Sequence, residues 1–160
     1  MRLVSATVGV LALVAGCHSR LPTEPGEVDL GGGLRARAES SIGPGPADEG
    51  AIRTRVTITN RSSRVVTLAV DACPVRLRVY RVGASQPAYD GFENGCITIV
   101  VPPITIPQGE SRPTGTTLDL ITVVPPGTAA ATYRVEALLR VGAPARPTVL
   151  AAGTVRIPVP

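Results

Sequence analysis

The stretch IRTRVTIT, residues 52–59, decides the fold class. Its aliphatic positions alternate with arginine and threonine, so every second side chain points to the same side of an extended chain. Such alternation is typical of a β-strand with one face buried and one face in water. The residues that follow, NRSS at 60–63, are types that favour a tight turn. The sequence therefore predicts a half-buried strand that ends in a chain reversal.

The same alternation continues on both sides of this stretch, and the 17 glycines and 16 prolines supply frequent turns. Short strands with turn signals between them indicate a β-sandwich. We expect an all-β fold, an immunoglobulin-like sandwich of about seven to eight antiparallel strands over residues 34–160. The other predicted strands are 34–40, 66–70, 75–79, 97–101 with 104–106 as an edge, 116–120 with an extension at Val123-Val124, 133–141 and 148–157.

Three motifs carry a family resemblance over about residues 50–140. They are the strand end VTITN at 56–60 with its serine-containing turn, IPQGES at 106–111, and Pro126-Gly127 followed by TYRVEA at 132–137. Together they resemble the immunoglobulin-like domain of the bacterial intracellular proteinase inhibitor family and of envelope lipoproteins built like it. The resemblance implies the sandwich fold, and it provides an alternative function, a proteinase inhibitor displayed at the surface. No inhibitory residue is carried over.

The N-terminus predicts export. Arg2 precedes an apolar run at 3–15, which is shorter than the roughly 20 residues that a membrane-spanning helix needs. A basic start, a short apolar run and small residues before a cleavage site are typical of a signal peptide. Val14-Ala15-Gly16-Cys17 resembles the lipobox of bacterial lipoproteins, which implies cleavage before Cys17 and lipid, including palmitate-type acyl chains, on that residue. The alternatives are an ordinary signal peptide with a chance cysteine, or a buried N-terminal strand.

These features divide the chain into a signal peptide at 1–16, a lipidated flexible tether at 17–33 and the sandwich domain at 34–160. Glycines at 31–33 and prolines at 22 and 25 make the tether segment typical of a linker. More than one acyl chain gives a stable anchor. We therefore expect an exported, membrane-anchored protein, in the outer membrane if the cell has two membranes and otherwise at the cell surface.

The two remaining cysteines, Cys73 and Cys96, predict a disulfide, because exported proteins meet an oxidising compartment. Their spacing is not that of a Cys-x-x-Cys redox pair. A two-cysteine metal site without a nearby histidine is not expected. The bond would close the loop that contains residues 84–95.

The residue inventory argues against an enzyme. All 16 basic residues are arginine, and the single histidine, His18, lies on the predicted tether, where no base can be held against a nucleophile. We expect no catalytic residue, no cofactor and no metal. Asp90 and Glu93 offer calcium ligands, but their spacing favours a solvated turn. Scattered arginines and few aromatic residues, with a net charge of +4, also oppose nucleic-acid binding.

Four arginines are the candidate binding residues: Arg53, Arg55, Arg76 and Arg78 lie at alternate positions of two predicted strands. If those strands are neighbours, the arginines form a basic stripe on one sheet face. The alternative is a solvated sheet face without a ligand. We expect a non-enzymatic, membrane-anchored envelope lipoprotein with a binding or scaffolding domain, whose partners are the membrane and an envelope protein or anionic surface.

Overall fold

Antiparallel strands dominate the chain. The computed structural model describes residues 24–45, 50–92, 101–125, 129–142 and 146–158. Within these residues one short helix, α1 (Leu120–Val123), accompanies the strands. The strands are β1 (Val28–Gly31), β2 (Leu34–Gly43), β3 (Ala51–Asn60), β4 (Val66–Leu68), β5 (Val70–Arg81), β6 (Tyr89–Asp90), β7 (Ile104–Ile106), β8 (Ser111–Asp119), β9 (Ala131–Val141) and β10 (Arg146–Ile157).

The strands form two main sheets. Sheet 1 has the order β1-β2-β3-β8, and sheet 2 has the order β10-β9-β5-β6. A two-stranded sheet pairs β4 with β7, and every pairing is antiparallel. The predicted fold class, an all-β sandwich, is confirmed.

The core lies between sheets 1 and 2 and is almost entirely aliphatic. Alternation places one set of side chains inward on each strand, as the sequence pattern requires. In β3 the inward positions 52, 56 and 58 are fully buried, and in β5 the inward positions 75, 77 and 79 are buried. Buried residues from both sheets form one cluster, whose largest fully buried aliphatic members are Ile52, Ile58, Ile106, Leu139, Leu150, Val56, Val79 and Val135.

Small residues let β2 and β10 approach each other from opposite sheets. Ala36, Ala38 and Ala152 are buried and have no side chain beyond Cβ to hold the strands apart. Gly153 lies where the β9–β10 register shifts, and its φ of +90° is one that glycine adopts without strain. Pro25 covers this position, with its Cγ 3.2 Å from where a Cβ on Gly153 would stand.

Two boundaries differ from the sequence prediction. Residues 28–31 lie in the predicted tether but form β1, because Val28 and Leu30 pack against the core while β1 pairs with β2. The ordered domain therefore begins before residue 34. The predicted strand extension at Val123-Val124 is wrong, since residues 120–123 form α1, in which Val124 N–H donates to the Leu120 carbonyl. The predicted strand at 97–101 falls mainly outside the described residues.

Candidate functional site

The four candidate arginines lie in different sheets. Arg53 and Arg55 are on β3 of sheet 1, whereas Arg76 and Arg78 are on β5 of sheet 2. The two strands are not neighbours, so the four arginines do not form the single basic stripe that such a pairing would give. The strands β3 and β5 both have the expected alternation, but β3 pairs with β2 and β8, and β5 pairs with β9 and β6.

The arginines of sheet 2 are bound by neighbouring side chains and backbone. Arg78 Nε and a terminal nitrogen both donate to Asp90 Oδ2, at 2.9 Å and 2.8 Å, and the Arg78 guanidinium lies 4.2 Å from the centre of the Phe92 ring. Arg76 donates to the Phe92 carbonyl at 3.0 Å. The hydrogen bond raises the pKa of Arg78 and lowers the pKa of Asp90. This pair of arginines therefore fastens the 89–92 segment to β5.

A second acidic residue compensates positive charge on the same sheet. Glu136 of β9 is opposite Arg78 in register and only 4% exposed. Arg134 donates to its carboxylate, and the Arg134 guanidinium lies 4.2 Å from the centre of the Tyr80 ring. Arg78 and Arg134 of sheet 2 are thus each paired with an acidic residue of the same sheet.

The arginines of sheet 1 are more accessible. Both Arg53 and Arg55 are exposed. A terminal nitrogen of Arg53 donates to the Pro44 carbonyl at 2.6 Å. Arg55 forms no ion pair within the described residues: Glu39, opposite it in register, instead pairs with Arg37 at 2.8 Å. The positive charge of Arg55 is therefore available to a ligand.

These two arginines line an open groove of about 1110 Å³ on sheet 1. Serine and threonine residues make up much of the rest of its lining. The Ser40 and Thr54 hydroxyls, on the inward face of sheet 1, hydrogen-bond to each other at 2.7 Å, whereas Ser41 and Thr117 lie beside Arg53 on the outward face. Gly115 of β8 lies against β3, where an added Cβ would collide with the Thr54 carbonyl. Other lining residues are Thr114, Thr116 and, from β10, Ala152–Thr154.

A mixed-charge surface continues onto β2. A smaller depression of about 180 Å³ shares Glu39 and Arg55 with the groove and is also lined by Glu27, Arg35 and Arg37. Arg35 pairs with Asp29 and Arg37 with Glu39, so Arg55 is the arginine of this depression without an ion pair among the described residues. The alternation at 34–40 predicts a strand but not that its arginines lie beside those of β3. The alternation RAR at 35–37 was the available signal, but the pairing of β2 with β3 was needed to interpret it.

Several predicted site residues lie outside the described part of the chain. Cys17 and His18 precede it, and Cys96 and Glu93 fall in the undescribed range 93–100. Cys73 is in β5 and half-buried. The disulfide between Cys73 and Cys96 stays a prediction.

Two further features concern metal binding and membrane-spanning helices in the part of the chain that the structure describes. The described residues contain no cluster of three or more histidine, cysteine or acidic residues arranged to hold a metal ion. None of their helices has the length and apolar character to cross a membrane.

Comparison with known proteins does not identify a family or a function for this chain. No family model matches the chain. No curated protein matches it, and no solved structure does. The resemblance to the proteinase inhibitor family and the lipobox interpretation therefore stay predictions from the sequence, and the groove has to be interpreted from its own chemistry.

Proposed function

We propose that the chain is an exported lipoprotein, anchored through lipid on Cys17, whose sandwich is a non-enzymatic binding or scaffolding domain. The observation that carries the binding role is the groove on sheet 1, where the exposed Arg55 has no ion pair within the described residues. An exposed cationic side chain beside a groove attracts negatively charged groups. The proposal places the ligand contact there and not on sheet 2.

The anchor is supported by the sequence at 14–17 and by the short apolar run before it. The absence of lysine and the position of the single histidine on the N-terminal segment support a role other than catalysis. In this proposal sheet 2, whose arginines pair with Asp90 and Glu136, stabilises the domain.

We further propose the disulfide between Cys73 and Cys96. It would join β5 to the segment after β6, which Arg76 and Arg78 already hold against β5. In the chain-entropy model a disulfide that closes a loop of this size contributes roughly 3 to 4 kcal/mol. Alkylation of the exported protein with and without prior reduction tests it: the pairing requires that both cysteines react only after reduction.

Labelled palmitate incorporation tests the anchor. We expect label on the wild-type protein and recovery with the membrane fraction. Cys17→Ser should remove the label and reduce membrane recovery, whereas Cys73→Ser is the matched control and should keep the label. Equal labelling of wild type and Cys17→Ser would contradict the anchor.

A further inference from the structure

The N-terminal segment reaches the domain at the groove. Pro25 is one of the residues that line it, and the Pro25 ring packs over Gly153 of β10 on the groove wall. Glu27, two residues further along the chain, lines the neighbouring depression. The chain from Cys17 therefore arrives at a residue that lines the same groove as Arg53 and Arg55.

The distance between anchor and groove is limited by the chain. From Cys17 to Pro25 there are eight residue steps (25 minus 17). A fully extended chain spans at most about 3.6 Å per residue, so Cys17 lies within roughly 29 Å of the groove. Tethering over so few residues gives an effective concentration on the order of millimolar. A weak contact between groove and membrane would then be well populated.

The groove has the chemistry of a surface for anionic head groups. Arg53 and Arg55 point outward from sheet 1 and provide positive charge, and the exposed hydroxyls of Ser41 and Thr117, which pair with Arg53 in register and share its face, provide hydrogen-bond donors to phosphate. The one acidic residue in its lining, Glu39, pairs with Arg37. The described lining contains no aromatic and no long aliphatic side chain, so it offers nothing to insert among acyl chains.

We propose that the groove on sheet 1 binds the phosphate head groups of anionic lipids in the membrane that holds the anchor. This inference rests on the proposed function, because the lipid on Cys17 supplies the proximity. Sheet 1 then faces the membrane, and sheet 2 faces away from it. The lipid anchor and the arginines act as two signals on the same surface.

Vesicle binding tests the proposal without the anchor. The mature chain from residue 17 with Cys17→Ser is sedimented with vesicles of phosphatidylcholine containing phosphatidylglycerol, and with vesicles of phosphatidylcholine alone. We expect binding only to the anionic vesicles, weakening as added salt screens the charges. Each arginine near an anionic surface strengthens binding roughly fivefold, so Arg53→Ser with Arg55→Ser should weaken it about 25- to 30-fold.

A matched double variant shows whether vesicle binding depends on the arginines of the groove or only on the net charge of the domain. Arg64→Ser with Arg81→Ser also removes two exposed arginines, and binding should fall less than about threefold. Circular dichroism checks that both variants are folded. Equal binding to both vesicle types, or equal losses in the two double variants, would overturn the proposal. Retention on heparin without vesicle binding would assign the groove to an anionic polymer and overturn it too. Palmitate labelling tests the anchor separately, so failure of either part can be recognised.

Discussion

Replacing Asn60 by aspartate should destabilise the domain at neutral pH. Asn60 is fully buried at the end of β3. Its side-chain amide donates to the Arg64 and Ile106 carbonyls at 2.7 Å and 2.9 Å, and its side-chain oxygen accepts from the Ser62 N–H at 2.9 Å and from the Ser62 hydroxyl at 2.7 Å. This residue therefore joins β3, the following turn and β7.

The aspartate keeps the shape and the acceptor but removes both donors. Two carbonyls, those of Arg64 and Ile106, would then face a carboxylate oxygen. The buried Ile106 carbonyl would lose its donor, whereas the Arg64 carbonyl still has the Ser62 hydroxyl 3.0 Å away. Leaving a buried polar group without its partner costs about 1 to 3 kcal/mol, and more for a charged group, so the unpaired carbonyl together with the buried carboxylate should cost at least about 2 kcal/mol. Small domains are stable by roughly 5 to 15 kcal/mol, so Asn60→Asp should remove a large part of the stability.

The substitution should also reverse the response to acid. Burial and the two carbonyls raise the pKa of the introduced carboxyl in the folded state, whereas the unfolded chain has an ordinary value of about 3.9. The folded state then binds more protons than the unfolded state, so the free energy of unfolding increases as pH falls toward 4. The protonated carboxyl can again donate one hydrogen bond.

Urea unfolding followed by circular dichroism measures this effect, because the chain contains no tryptophan for fluorescence. The midpoint for Asn60→Asp should be far below wild type at pH 7 and move toward it at pH 4.5. Ser62→Ala, which loses the hydroxyl contacts to Asn60 and to the Arg64 backbone but keeps both amide donors of Asn60, should cost about 1 kcal/mol. A loss below 1 kcal/mol for Asn60→Asp at pH 7, or stability that rises between pH 4.5 and 7, would refute the reasoning.

Two further predictions concern sheet 2 and the groove. The lowered pKa of Asp90 means that its pairing with Arg78 contributes stability above pH 4 that is lost as pH falls through the lower folded pKa. Asp90→Asn should cost about 1 kcal/mol at pH 7 and reduce the loss of stability between pH 4 and 2, and an unchanged urea midpoint at pH 7 would count against the pairing. Gly115→Ala should lower thermal stability by about 1 to 3 kcal/mol, because its Cβ meets the Thr54 carbonyl. Gly26→Ala has open space around its Cβ and is the control, so equal melting temperatures for the two variants would contradict the close approach.

Strands were the most predictable part of this fold. In β3, β5 and β9 the aliphatic and polar residues alternate over a long stretch, so one face of each strand is specified by the side chains alone. The strand β1 has only Val28 and Leu30 to mark it and adjoins a run of three glycines. Its stability comes from pairing with β2, a contact that a local pattern does not report.

The candidate site was less predictable because it depends on which strands become neighbours. Arg55 and Arg78 occupy equivalent outward positions in alternating strands, and nothing local distinguishes them. Their environments differ because β6 brings Asp90 to Arg78, whereas Arg55 faces Glu39, which is already bound to Arg37. Whether an arginine on one of these strands can bind a ligand therefore depends on which strand pairs with it.

Crosslinking in the native envelope shows directly whether the groove of the anchored domain is its contact surface. A photoreactive residue replaces Thr117, which is exposed in the groove, or Thr132, which is exposed on β9 of sheet 2. We expect crosslinks to lipid from position 117, far fewer from position 132, and a marked decrease of the crosslinks from position 117 with Cys17→Ser, because the groove alone holds the membrane more weakly than the groove and the anchor together. Equal crosslinking from both positions, or crosslinks from position 117 that persist unchanged with Cys17→Ser, would contradict the proposed contact surface.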